Sequence, residues 1–211
     1  NTHYLGYNAN MLANEMYLDS ADQRSSVVSL AKQVGYTPKS AVSSTARIDV
    51  VINNATGATV TMSRGTKFST TVDATNYSFV NNADVSISPV DGVYKFSNLE
   101  IFEGTYLNYK YTANTSDTDQ RFVIPNDFVD TKTLTVKVQE SSSDSTTNTY
   151  TLASGVTGFD STSKVYFLQE VENGRYEVYF GDGVIGQAIA DGNIVILDYI
   201  TCNLDEPNGA T

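Results

Sequence analysis

Apolar residues recur at helical spacing through the first forty positions and at strand spacing through most of the rest. Leu5, Ala9, Leu12 and Met16 fall three or four apart and predict a helix over residues 4–18. Val27, Leu30, Ala31 and Val34 repeat the pattern and predict a second helix over residues 21–34. Ser20 with Gln23 fits a capping box that restarts the chain after Asp19. Gly35, with Pro38 just beyond, predicts the stop. The first helix also carries Tyr4, Tyr7, Met11, Tyr17 and Leu18, so apolar groups occupy several of its faces. A helix apolar nearly all round is covered by something. One β-domain covers one side, which leaves surface for another chain or another segment.

From Ala46 onward the pattern alternates. Ile48, Val50 and Ile52 share one face, and Asn53-Asn54 follows as a turn signal. Residues 60–62, a turn at Arg64-Gly65, and runs at 77–80, 85–87, 99–102 and 105–112 read as further strands, with Glu103-Gly104 between the last two. Leu134, Val136 and Val138 alternate with Thr135 and Lys137, which predicts a sheet with one solvated face. The polar run 141–147 reads as a mobile loop tip. Strands at 165–170, 175–180 (after an Asn173-Gly174 turn) and 193–199 complete the set. The expected fold is α+β, mainly β: an N-terminal helical pair, then an antiparallel β-sandwich or partly open barrel. The expected division is a helical assembly segment over 1–40 and a β-domain over 41–211, with no internal repeat.

Composition removes several functions. With 24 acidic against 13 basic side chains the net charge is −11, which opposes nucleic acid and anionic membrane surfaces alike. No apolar run is long enough to span a bilayer. A single cysteine, Cys202, and a single histidine, His3, remove internal disulfides, cysteine metal clusters and histidine-based triads together. A start at Asn1-Thr2-His3 without Met, and an end at Asn208-Gly209-Ala210-Thr211, suggest a piece of a larger protein.

What chemistry remains is thin. Gly181, Gly183 and Gly186 stand at the G-x-G-x-x-G spacing of a phosphate cradle. Yet residues 187–192 are too short for the helix such a cradle needs, and Asp182 carries the wrong charge. Asp182-Gly183 and Asp191-Gly192 read instead as turns between antiparallel strands. A glycosidase-like carboxylate pair would draw on Glu100, Glu103, Glu170, Glu172 and Glu177, none in a motif. Asp117-Thr118-Asp119, and Asp182 with Asp191, offer oxygens for calcium without the loop series that binds it. Tyr106, Tyr109 and Tyr111 lie on one strand, Tyr109 and Tyr111 on a common face, and could form a sugar platform, a protein interface or core.

The order of short motifs carries a resemblance. Arg24-Ser25-Ser26-Val27-Val28 leads to Gly35-Tyr36-Thr37-Pro38, then Arg64-Gly65-Thr66-Lys67-Phe68, Phe79-Val80 and Glu103-Gly104. Tyr179-Phe180-Gly181-Asp182-Gly183-Val184-Ile185-Gly186 and Asn208-Gly209-Ala210 close the series. Over about residues 5–210 this order resembles the baseplate J-like family, most nearly the baseplate wedge subunits of T4-like contractile-tailed phages. The resemblance implies a structural virion protein of the tail baseplate, without catalytic residues, metal, cofactor or small-molecule substrate. It implies pairing with a second copy, helix packing with other wedge proteins, and movement when the sheath contracts. Leu5, Leu12, Met16, Val27, Leu30 and Val34 are the expected packing residues. Gly65, Gly104, Gly181, Asp182, Gly183 and Gly186 are the expected fold-marking turns. The rival expectation is a carbohydrate- or receptor-binding β-module built on the tyrosine strand.

Overall fold

A computed structural model describes residues 2–207 except Gly35, Thr37, Asn54, Asp73, Val156, Thr157, Glu172, Asn173 and Asp205, with backbone alone for Thr2, His3 and Lys32. The expected helix stop at Gly35, the turns at Asn54 and Asn173, Glu172, and the Asn208-Gly209-Ala210 end of the signature lie outside these residues.

Among the described residues, two helices precede thirteen strands. They are α1 (Thr2–Asn14), α2 (Arg24–Gln33), β1 (Thr45–Ile52), β2 (Val60–Met62), β3 (Lys67–Val72), β4 (Thr75–Asn81), β5 (Val85–Ile87), β6 (Tyr94–Glu103) and β7 (Thr105–Thr112). β8 (Phe122–Val123), β9 (Val129–Gln139), β10 (Thr147–Leu152), β11 (Val165–Glu170), β12 (Tyr176–Phe180) and β13 (Ile194–Thr201) follow. The fold is mainly β, with one sheet curled as a half-barrel and another nearly closed into a barrel-like form. The helical pair followed by a largely antiparallel, partly open barrel matches the expected class.

The chain forms two compact units from interleaved segments. One contains residues 40–113, 126–150 and 192–211. Within it, β1-β6-β4-β3 form an antiparallel sheet, β2 pairs with β5, and β7-β13-β9 continue into the first half of β10. Met62, Phe79, Phe96, Leu99 and Ile101 form a core against which Ile48, Val50, Phe68 and Val85 pack. β1 shows the expected alternation, with Ile48, Val50 and Ile52 turned inward. Its pairing with β6 is interrupted at Asp49. There Asn98 takes a positive φ of 55° and donates its N–H to the Asp49 carboxylate at 2.8 Å, as the extra residue of a bulge can.

The second unit contains residues 1–39, 114–125 and 151–191. β11 and β12 pair antiparallel from Tyr166↔Phe180 to Glu170↔Tyr176, and β8 adds to β12. The end of β10 runs parallel to β11 over Thr151↔Val165 and Leu152↔Tyr166, a local exception to the expected antiparallel pairing.

Several expectations need correction. α1 ends at Asn14 and α2 begins at Arg24, both inside the expected bounds. β8 and β10 were not expected, and β10 begins at Thr147, inside the run read as a loop. The tip before it is a closed turn, with Asp144 N–H donating to the Ser141 carbonyl and Thr146 N–H to the Asp144 carboxylate. Thr135 and Lys137 are half-buried rather than solvated, because a polar cluster covers their face of β9.

Candidate assembly surface

The expected packing residues separate by exposure. Leu5, Leu12 and Met16 are 68%, 70% and 69% exposed, and Val34 is 76% exposed. Val27 and Leu30 are half-buried. The residues that α2 buries are Val28 and Ala31, three apart on an adjacent stripe. The expected stripe of Val27, Leu30, Ala31 and Val34 meets the buried one only at Ala31, since spacing carries no information on which side the chain itself covers. Arg24 fixes the choice: its Nε and a terminal nitrogen donate to the two oxygens of buried Glu170 at 2.9 Å each. Tyr176 adds a hydroxyl bond to the Pro38 carbonyl at 3.2 Å.

The junction between the helices replaces the expected capping box. Ser20 turns back and donates its hydroxyl to the Asn14 carbonyl at 2.7 Å, satisfying the end of α1. The N–H groups of Asp22 and Gln23, at the start of α2, donate to the Glu15 carboxylate. Ser26's hydroxyl, together with these N–H groups, holds Glu15 below the usual carboxylate range. A carboxylate is favoured there because a helix N-terminus carries partial positive charge. On α1, Tyr4, Leu5, Tyr7 and Leu12 all stand largely in solvent. Leu5 and Leu12 are seven apart and share a stripe.

Of the expected fold-marking glycines, Gly65, Gly104, Gly181 and Gly186 are close-approach points, whereas a Cβ on Gly183 would make only ordinary contact, 3.8 Å from Ala188. A Cβ on Gly65 would stand 2.8 Å from the Tyr106 ring, and Gly65 has φ 80°. A Cβ on Gly104, at φ 133°, would overlap the Thr201 carbonyl oxygen. Gly65 thereby lets Arg64 lie over Tyr106, 5.1 Å from the ring centre. Arg64 also donates to Asn82 at 2.6 Å and to the Thr133 carbonyl at 2.8 Å, and approaches Asp198 at 3.6 Å. Lys137 reaches the same Asp198 oxygen at 3.1 Å, while Tyr106 and Asn108 donate to the other. Burial pushes Asp198 up, and the bonds from Asn108, Tyr106 and Lys137 more than offset it, so its carboxyl sits below the usual range. Burial, with Asp198 beside it, raises the Tyr106 phenol to about 12. Tyr106 therefore faces this cluster, away from Tyr109 and Tyr111. Those two rings lie 5.0 Å apart at 60° and form no flat platform.

The glycine-rich segment does not join paired strands, contrary to expectation: β12 pairs with β11 and β8, whereas β13 pairs with β7 and β9. Asp182 folds back instead and accepts from Val184 and Ile185 N–H, at 2.9 Å each. Ile185 and Val184 N–H together hold its carboxyl below the usual range. The amides a phosphate would have used are thus bonded to the chain's own carboxylate. Gly186 N–H donates to the Asp160 carbonyl at 3.0 Å. A Cβ on Gly181 would overlap the backbone at Ile185 and Gly186, and one on Gly186 would stand 2.9 Å from Val165.

The acids singled out as catalytic candidates hold other partners. Glu103 is buried and accepts from Asn203 backbone and side chain at 2.9 and 2.7 Å. Glu170 holds Arg24, Glu177 holds Arg121 at 2.7 Å, and exposed Glu100 faces Arg47 at 3.6 Å. Asp117 accepts from the N–H of Asp119, and Asp191 from that of Thr115. Among the described residues, no three His, Cys, Asp or Glu converge as a metal site. Cys202 is buried, which pushes its thiol up.

Residues 109–203, from within β7 to just beyond β13, match the family described as bacteriophage baseplate wedge protein gp6, third domain. The whole chain aligns at 26% identity with baseplate wedge protein gp6 of Enterobacteria phage T4. The chain is similar to a phage baseplate wedge protein. It spans about a third of that relative's length, 34%. α1, α2 and β1 to β6 lie outside the family match but inside the alignment to the T4 protein. The similarity supports the wedge-protein part of the expected resemblance.

Proposed function

We propose that this chain is part of a structural subunit of a phage tail baseplate wedge, located in the virion, and that it assembles through α1. Similarity to the T4 wedge protein supports the baseplate role. The observation that supports assembly through α1 is the stripe of Leu5 and Leu12, about two-thirds exposed on a helix with apolar side chains on several faces. Each apolar side chain fully buried against a partner contributes roughly 1.5–3 kcal/mol, so a few such residues hold a subunit interface. The occupants in this reading are a second copy of the chain and helices of other wedge proteins. The role is mechanical: the helices join subunits that shift together when the sheath contracts.

Replacing Leu5 and Leu12 with Asp tests the reading. Both side chains are exposed, so the β-units keep their folded circular-dichroism signal and melting behaviour. The variant is expected to fail to co-assemble with wedge partners and to sediment as a monomer. Normal incorporation into baseplates would remove α1 from the interface.

A further inference from the structure

We propose that a cleft beside α2 binds an acidic peptide segment of a partner chain. The cleft encloses about 860 Å³ and is lined by Arg24, Arg121 and Arg175, with Val28, Val123 and Val171 supplying apolar wall. Among the described residues, Glu170 is the carboxylate that lines it. In a chain with 13 basic side chains and a net charge of −11, three guanidinium groups meet around one cleft, against the two carboxylates, Glu170 and Glu177, that pair with Arg24 and Arg121.

Two of these cations are held ready. Arg24 forks onto Glu170, and Arg121 forks onto Glu177 at 2.8 and 2.7 Å. The acids lie beneath: the Glu170 and Glu177 side chains are 1% and 9% exposed, against 65% and 54% for the arginines. A guanidinium has five donors and a fork uses two. On Arg24, which is 65% exposed, the fork therefore fixes the plane of the group while its solvent side can meet a second carboxylate.

The cleft volume lies within the range of ligand pockets, roughly 300–1,000 Å³, and suits several residues of extended chain better than one small anion. The three valines favour a segment in which apolar residues stand between the acids. Nucleic acid is the poorer fit, because the overall negative charge repels a polyphosphate along its whole length. The same repulsion makes binding of any acidic peptide a local property of this cleft.

The probe is a fluorescein-labelled octapeptide of alternating glutamate and valine, titrated by anisotropy against the whole chain at low salt. Saturable binding is expected, and it should weaken as salt rises. Arg175→Gln should weaken it about tenfold or more, as should Ser29→Glu, which adds a carboxylate to the cleft from an exposed helix position. Both leave the forks to Glu170 and Glu177 in place, and Ser29→Glu decides if Arg175→Gln lowers the melting temperature. The proposal is overturned by any of three results: no saturable binding, equal binding of a lysine–valine peptide, or affinity unchanged in a folded variant. Displacement of the peptide by phosphate or a short oligonucleotide more readily than by unlabelled peptide would also overturn it.

Discussion

Gly104 and Gly192 both have positive φ, at 133° and 79°, yet they make different demands on sequence. Nothing lies within 4 Å of a Cβ on Gly192, so Gly192→Ala meets backbone strain alone, about 1 kcal/mol. On Gly104 the added carbon meets the Thr201 carbonyl and stands 2.8 Å from an Ile200 methyl. Backbone atoms of β13 cannot yield cheaply, so Gly104→Ala is expected to cost about 3 kcal/mol or more. Urea denaturation of the two variants, compared at one temperature, checks the difference; equal losses would show that β13 moves aside. Both glycines were visible in the sequence as turn signals. What separates them, a strand nearly a hundred positions away, was not.

The bounds of β7 and β11 were legible to the residue, and so was the alternation of β1. β10 was not, because Tyr150 is its one buried side chain in a run otherwise of threonine, asparagine and a terminal leucine. β8 has two residues and exists through its pairing with β12. The surplus apolar surface of α1 was legible too, whereas the docking stripe of α2 depends on Glu170, far along the chain. The polar face of β7, β13 and β9 was equally hidden, since Arg64 reaches it from a turn between β2 and β3. Asp198 ties these strands together, and its pH dependence follows from its lowered pKa. A carboxylate depressed on folding contributes stability that is full above the unfolded value, about 3.9. That contribution is lost as pH falls through the lower folded value. Asp198→Asn leaves Arg64 and Lys137 without their anion and is expected to cost about 2–3 kcal/mol near neutral pH. Below about pH 3 the gap to the unaltered chain should narrow. Denaturant midpoints measured from pH 7 to pH 2.5 give the curve; a constant gap would mean that Asp198 acts through shape and not charge.

The expected division runs along the chain, a helical assembly segment over 1–40 and a β-domain over 41–211, while the two compact units are built from interleaved segments. The chain passes between its two units at 39/40, 113/114, 125/126, 150/151 and 191/192. Residues 1–39 belong with β8, β11 and β12, to which α2 contributes Val28, Ala31 and the partner of Glu170. Removing them would expose apolar surface and leave Glu170 as a buried carboxylate without its cation, a change of several kcal/mol in total. The other unit keeps all its segments in such a truncation, including the Met62–Phe79–Phe96 core and the Asp198 cluster. A chain of residues 40–211 is therefore expected to lose hydrogen-exchange protection in β11 and β12 while β6, β9 and β13 keep theirs. Calorimetry should show the matching result, with one transition lowered or lost and the other unmoved. Undiminished protection of β11 and β12 would mean that α2 rests on a unit already stable without it, and α2 would then be free to serve assembly alone. Loss of protection throughout would mean that the two units unfold as one.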